Sequence, residues 1–134
     1  MKVLTLCFIL LGTLLQAGDI LWQKDLQHAF ETARKENRLL MVMVEGEHCR
    51  WCKKMRYRTL DDEKVSRKLE NFVNVRVDEA DKKSMKVLPP VKGVPTIFFL
   101  YPDGKVIETA TGYYGVDDFL SFFKAVEQKV WQVR

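Results

Sequence analysis

Glu45-Gly46-Glu47-His48-Cys49-Arg50-Trp51-Cys52-Lys53-Lys54-Met55 is the stretch on which the reading of this chain turns. It sets two cysteines apart by two residues. The unbroken apolar run Leu39-Leu40-Met41-Val42-Met43-Val44 leads into it, and a segment with helical spacing leads out. A strand, a Cys-x-x-Cys and then a helix is an arrangement that displays a reactive dithiol. The first cysteine falls near the helix N-terminus, where unpaired N–H groups and the macrodipole favour an anion. A thiolate is the anion that attacks a disulfide, so this placement lowers the thiol pKa and raises its reactivity at neutral pH. The second cysteine follows about one turn later and can close the ring.

At 134 residues the chain has room for one domain, and 47% hydrophobic with 30% charged residues is the composition of a globular protein with a packed core. The net charge of +4 is a mild excess. None of the nucleic-acid modules is present, so nucleic acid is discounted as a partner. The start reads as a signal peptide over residues 1–17, with residues 18–134 as the domain: Lys2 is a positive n-region, Val3 to Leu15 an apolar h-region, and Leu15-Gln16-Ala17 a cleavage site. That apolar run spans roughly 20 Å as a helix, short of a ~30 Å hydrocarbon core. Cys7 falls inside the h-region and reads as a small apolar packing residue. The exported chain then carries only Cys49 and Cys52. A disulfide scaffold needs more cysteines at longer spacings, and a bridge across two residues constrains the unfolded chain little. The pair therefore reads as redox-active.

Outward from the dithiol, Ile20-Leu21-Trp22 reads as an edge strand, and Leu26, Ala29, Phe30 and Ala33 recur at helical spacing. Leu39 to Val44 is apolar throughout, as a strand buried on both faces requires. Thr59, Asp61 and Asp62 offer caps for a further helix in which Val65 and Leu69 face inward. Phe72 to Asp78 reads as a strand, residues 79–88 as partly helical, and Thr96 to Tyr101 as a strand. Pro102-Asp103-Gly104 turns a hairpin whose second arm is Lys105 to Ala110. Gly112-Tyr113-Tyr114-Gly115 is a bend, and Phe119, Phe122, Phe123, Val126 and Val130 stripe a last helix. Alternation of this kind predicts an α/β fold with a central sheet and helices on both faces.

The sequence resembles the thioredoxin family. Cys49-Arg50-Trp51-Cys52 follows a buried strand, Gly93-Val94-Pro95-Thr96 opens another about forty residues downstream, and a hairpin, Gly112 and a C-terminal helix complete the order. The resemblance covers essentially all of residues 18–134. The Cys-x-Trp-Cys-Lys-Lys-Met form looks most like exported thioredoxin-like proteins related to the C-terminal domain of the thiol reductase DsbD. The resemblance implies a thioredoxin fold with a mixed sheet. It implies a cis bond before Pro95, and a Val94 backbone exposed to pair with a substrate strand. It also implies protein dithiols or disulfides as partners, a membrane thiol reductase as electron donor, and no cofactor. Read alone, Pro95 would be an ordinary trans proline starting a strand. Met43 stands six residues before Cys49, where thioredoxins carry a buried aspartate that assists the second thiol. Glu45 and Glu47 are nearby alternatives as proton acceptors, read here as solvated strand-end charges.

The expected chemistry has Cys49 as nucleophile and Cys52 as resolving cysteine, the two forming a reversible disulfide. His48, Arg50 and Lys53 modulate the thiolate, with Glu45 and Glu47 opposing them. Arg50, Lys53, Lys54, Arg56 and Arg58 form a run that is either a solvated face or an electropositive rim steering acidic partners. Trp51 either packs beneath the site or stands exposed as a substrate contact. Two rival readings are copper or zinc binding by the same pair, and a redox-inert binding module. His48 is adjacent to Cys49, which makes joint tetrahedral ligation awkward. The reducing direction is favoured through the DsbD resemblance.

Overall fold

The computed structural model describes residues 19–133. The signal-peptide reading of residues 1–17 and the packing reading of Cys7 lie outside the described residues.

Five strands form one mixed sheet in the order β1-β3-β2-β4-β5. These are β1 (Trp22–Gln23), β2 (Leu40–Glu45), β3 (Val73–Asp78), β4 (Thr96–Leu100) and β5 (Val106–Thr111). β3 runs parallel to both β1 and β2, whereas β4 is antiparallel to β2 and β5 antiparallel to β4. The helices are α1 (Leu26–Glu36), α2 (Arg50–Lys54), α3 (Glu63–Leu69), α4 (Lys82–Met85) and α5 (Val116–Gln132).

Strand β2 is continuously apolar because both of its faces are covered. Side chains alternate across a strand. Leu40, Val42 and Val44 therefore join the core under α1, with Leu26, Ala29 and Ala33. Met41 and Met43 join the opposite core, with Val65 and Leu69 of α3 and Phe119, Phe123 and Val126 of α5. β4 divides likewise, Phe98 and Leu100 to one side and Ile97 and Phe99 to the other. Phe99 is fully buried, its ring 5.5 Å from those of Phe72 and Phe123 in edge contacts. Such edge-on aromatic pairs are favoured beyond the area they bury.

Strands β2 to β5 shift by one residue at one or both ends, and three boundaries differ further from those read in the sequence. β1 begins at Trp22, leaving Leu21 78% exposed ahead of it, because only Trp22 and Gln23 find partners on β3. Thr59 caps nothing. Residues 50–60 contain no Gly or Pro and form one helical run, in which Met55–Leu60 winds as a π-helix. The wider turn carries Met55, Thr59 and Leu60 all inward, and the Thr59 hydroxyl donates to the Tyr114 carbonyl at 2.6 Å. Asp62 is the cap of α3, accepting from the Lys64 amide at 2.9 Å. The segment 79–88 reduces to the four residues of α4, capped by Asp81, whose carboxyl is held below its ordinary value chiefly by hydrogen bonds from Ser84. Among the described residues no helix is long and apolar enough to cross a membrane.

Lys129 of α5 ties that helix to the edge strand, donating to the Ile107 carbonyl at 3.0 Å and to Glu108 at 2.8 Å. Burial alone would raise the Glu108 pKa, but hydrogen bonds from Lys129 and the Thr109 amide, with the Lys129 charge, outweigh it and lower the value. A carboxyl lowered in the folded state stabilises above its unfolded pKa, about 4.3, and loses that contribution as pH falls through the folded value. Lys129→Met is therefore expected to cost about 0.5–1 kcal/mol at pH 7, the screening of a half-exposed lysine included. The difference from wild type should shrink below about pH 4. Urea denaturation at pH 7 and pH 3 measures both, and an equal loss at the two values would contradict the assignment.

Candidate active site

The site is built where β2 ends. Glu45 closes the strand, and the chain turns through Gly46, Glu47 and His48, the last in the left-handed region with φ 55°. Gly46 passes so close to its neighbours that a Cβ there would sit 2.8 Å from Glu79 Oε1 and 3.1 Å from Val94 Cγ2. Only a bare backbone fits between them without a shift. Cys49 then takes the N-cap position of α2, and the Cys52 amide N–H points at Cys49 Sγ at 3.1 Å. The two cysteines are joined as a disulfide, with S–S 2.18 Å and Cα atoms 5.2 Å apart. Cys52 is 2% exposed, packed in the core that holds Met43 and Met55, while Cys49 is half-buried and reaches the surface.

Facing the disulfide is the loop before β4. The Val94–Pro95 peptide bond is cis. The Val94 carbonyl oxygen lies 3.9 Å from Cys49 Sγ. Two hydrogen bonds hold this loop: Thr96 Oγ1 donates to the Gly93 carbonyl at 2.6 Å, and the Gly112 amide donates to the Pro95 carbonyl at 2.8 Å. Gly112 has φ 92°, a conformation open to glycine at little cost, and the turn it makes delivers Tyr113 to the site. Trp51, Val94, Pro95, Gly112 and Tyr113 line a shallow cavity of about 360 Å³ beside the disulfide.

Cys49, Cys52, Trp51, Val94 and Pro95 thus converge. Trp51 stands on the rim rather than beneath it, 48% exposed, its ring 5.6 Å from that of Tyr113. Arg50 lies along the Trp51 ring at 5.9 Å, and Lys53 is exposed. His48 points away into solvent, its side chain 90% exposed and 3.3 Å from Glu47. The reading of Glu45 as a solvated charge is corrected. Its side chain is only 21% exposed, because it lies 2.8 Å from Arg56 Nε, with Arg76 at 3.9 Å. The first contact is an ion pair without hydrogen-bond alignment. Arg56 is thereby withdrawn from the basic rim. Met43 is fully buried beside Cys52, so an apolar side chain occupies the level where a buried acid was sought.

Lys54, read in the sequence as part of the basic run, gains a specific place on the rim, and one further rim residue, Tyr113, escaped the sequence reading. Lys54 sits with its Nζ 4.9 Å from the Trp51 ring and 4.6 Å from the Tyr113 ring. Its signal was present, since positions three apart on a helix share a face. Tyr113 gave none, because only the folded loop brings it to α2. Among the described residues, no group of three or more His, Cys, Asp or Glu side chains is placed to hold a metal ion.

The sequence profile of the thioredoxin-like domain family matches residues 26–127, well over half of the chain. The thioredoxin of Thermus thermophilus superposes with a TM-score of 0.67 at 28% identity, over 82% of this chain and 87% of that one. The reduced DsbD C-terminal domain of Neisseria meningitidis superposes with a TM-score of 0.63 at 24% identity, over 78% and 93%, a likeness of fold. Human spermatogenesis-associated protein 20 is 37% identical over 62 residues, which are 46% of this chain but only 8% of that protein. The fold and its Cys-x-x-Cys pair together match disulfide oxidoreductases.

Proposed function

Since the chain belongs to the thioredoxin-like domain family, we propose that it exchanges disulfides with protein partners through Cys49 and Cys52, in the reducing direction. The observation that carries this is the Cys49–Cys52 disulfide at the start of a helix, with one sulfur at the surface beside Val94 and Pro95.

In the reduced chain the Cys52 amide would donate to a Cys49 thiolate, and the helix N-terminus adds its field. That thiolate attacks one sulfur of a partner disulfide. The partner's S–S bond breaks, its other sulfur leaves as a thiolate and takes a proton from water, and a mixed disulfide forms. Cys52 then gives up its proton and attacks Cys49 Sγ. The mixed disulfide breaks, and the second partner sulfur leaves and is protonated. Two electrons have passed from the dithiol to the partner, and the Cys49–Cys52 disulfide remains. An extended partner segment pairing with the Val94 backbone would set its sulfur beside Cys49, since the Val94 carbonyl is 3.9 Å from that sulfur.

The DsbD C-terminal domain, which this chain resembles in fold, is known in reduced and oxidised forms, which supports a dithiol that cycles between the two states. A reduction potential near thioredoxin's, about −270 mV, is expected in glutathione buffers, and a value near that of DsbA, about −120 mV, would reverse the direction. Electrons would come from a membrane thiol reductase. We place the protein in an oxidising compartment behind a cleaved segment of residues 1–17, and the intact mass of protein from its native cell tests that cleavage.

An insulin-reduction assay, run beside copper and zinc titrations of the reduced protein, separates the redox reading from metal delivery. Catalysed reduction is expected. Stoichiometric metal binding through both sulfurs, without turnover, would overturn the proposal.

A further inference from the structure

The rim of the site holds a cation that no carboxylate among the described residues pairs with. Lys54 Nζ rests 4.9 Å from the Trp51 ring and 4.6 Å from the Tyr113 ring, themselves 5.6 Å apart. Aromatic faces attract an ammonium through their quadrupoles, but they carry no net charge, so its full positive charge remains. Carboxylates act elsewhere. Glu45 is held by Arg56, Glu47 lies beside His48, and among the described residues no ion pair involves Arg50, Lys53 or Lys54. The two rings that position Lys54 are also two walls of the cavity whose other walls are Val94, Pro95 and Gly112. A positioned, unpaired charge therefore borders the place where a partner segment would lie.

We infer that Lys54 is a specificity-determining residue, its ammonium receiving a carboxylate from the partner segment whose disulfide is attacked. The inference rests on the proposed exchange reaction and adds the class of substrate: extended, disulfide-bearing segments with an acidic side chain near the cysteine. In an extended segment, side chains two residues apart point to the same face, about 7 Å from one another. A cysteine directed at Cys49 would thus direct the side chains two positions away toward α2, the helix that carries Trp51 and Lys54. A carboxylate meeting an ammonium beside two rings gains a charge-assisted hydrogen bond in a partly water-excluded setting.

The test uses two peptide dimers, each joined by one disulfide and identical except for Glu or Gln two residues on either side of the cysteine. The rate at which each oxidises the reduced protein is measured, and the Glu-to-Gln ratio is taken within each variant, so that changes in thiol reactivity cancel. The wild-type ratio is expected to be about five- to tenfold at low salt and to fall as salt rises. Lys54→Met should cut it to less than half, Lys54→Glu should invert it, and Lys54→Arg should keep it. Lys124→Met, which removes an exposed charge on α5, should leave it intact. A wild-type ratio of one, a ratio unchanged in Lys54→Met, or an equal fall in Lys124→Met would overturn the inference while leaving exchange itself in place. Failure of both peptides to oxidise the wild-type dithiol would instead remove the exchange reaction and this inference with it.

Discussion

Replacing Cys49 by serine is expected to reduce catalysed insulin reduction to the uncatalysed rate while leaving the fold in place. The two halves of that result have separate causes. A serine hydroxyl does not displace sulfur from a disulfide at neutral pH, because thiol–disulfide exchange depends on thiolate character. Yet Cys49 also caps α2, its sulfur receiving the Cys52 amide at 3.1 Å, and serine is among the preferred N-cap residues. Far-ultraviolet circular dichroism and the urea midpoint should therefore match those of the reduced wild type, which likewise lacks the bridge. Residual catalysis in Cys49→Ser would mean that Cys52 can attack a partner unaided, against its burial at 2% exposure.

The largest effect on stability is expected from Phe99→Ala. Phe99, on β4, is 0% exposed, with the Phe72 and Phe123 rings at 5.5 Å and the Phe119 ring at 6.1 Å. Truncating a buried phenylalanine loses its transfer free energy and leaves a cavity, together about 3–5 kcal/mol. A domain of this size has only about 5–15 kcal/mol to lose, so the variant should sit at the edge of unfolding. Phe99→Leu, which keeps most of the volume, should cost under about 1.5 kcal/mol. Urea midpoints with unchanged slopes measure both. A loss below about 1 kcal/mol for the alanine variant would show that the aromatic cluster is not the centre of this core.

How far the sequence was legible depended on how local the cause was. β2 was legible because burial on both faces leaves no polar residue from Leu39 to Val44. The dithiol was legible because strand, Cys-x-x-Cys and helix are contiguous. The π-helical turn was not, since the wider winding of Met55–Leu60 answers to the core beneath it and to the Tyr114 carbonyl, residues far along the chain. Glu45 misled for a related reason. A charge ending a strand suggests solvent, but Arg56 on the following helical run and Arg76 on β3 both lie against it. The rim partnership of Trp51 with Tyr113 is equally non-local, resting on the Gly112 turn and its hydrogen bond to the Pro95 carbonyl.

The central claim, that Cys49 is the sulfur which meets the partner and Cys52 the one which releases it, is tested most directly with Cys52→Ser. This variant is reduced, mixed with a disulfide-bonded protein substrate, quenched with acid, digested without reductant and analysed by mass spectrometry. The account predicts a mixed disulfide that accumulates because nothing resolves it, with the partner's cysteine joined to the peptide containing Cys49. A mixed disulfide that forms as readily through Cys52 in a parallel Cys49→Ser sample, or no mixed disulfide in Cys52→Ser under conditions in which the wild type turns over, would contradict it.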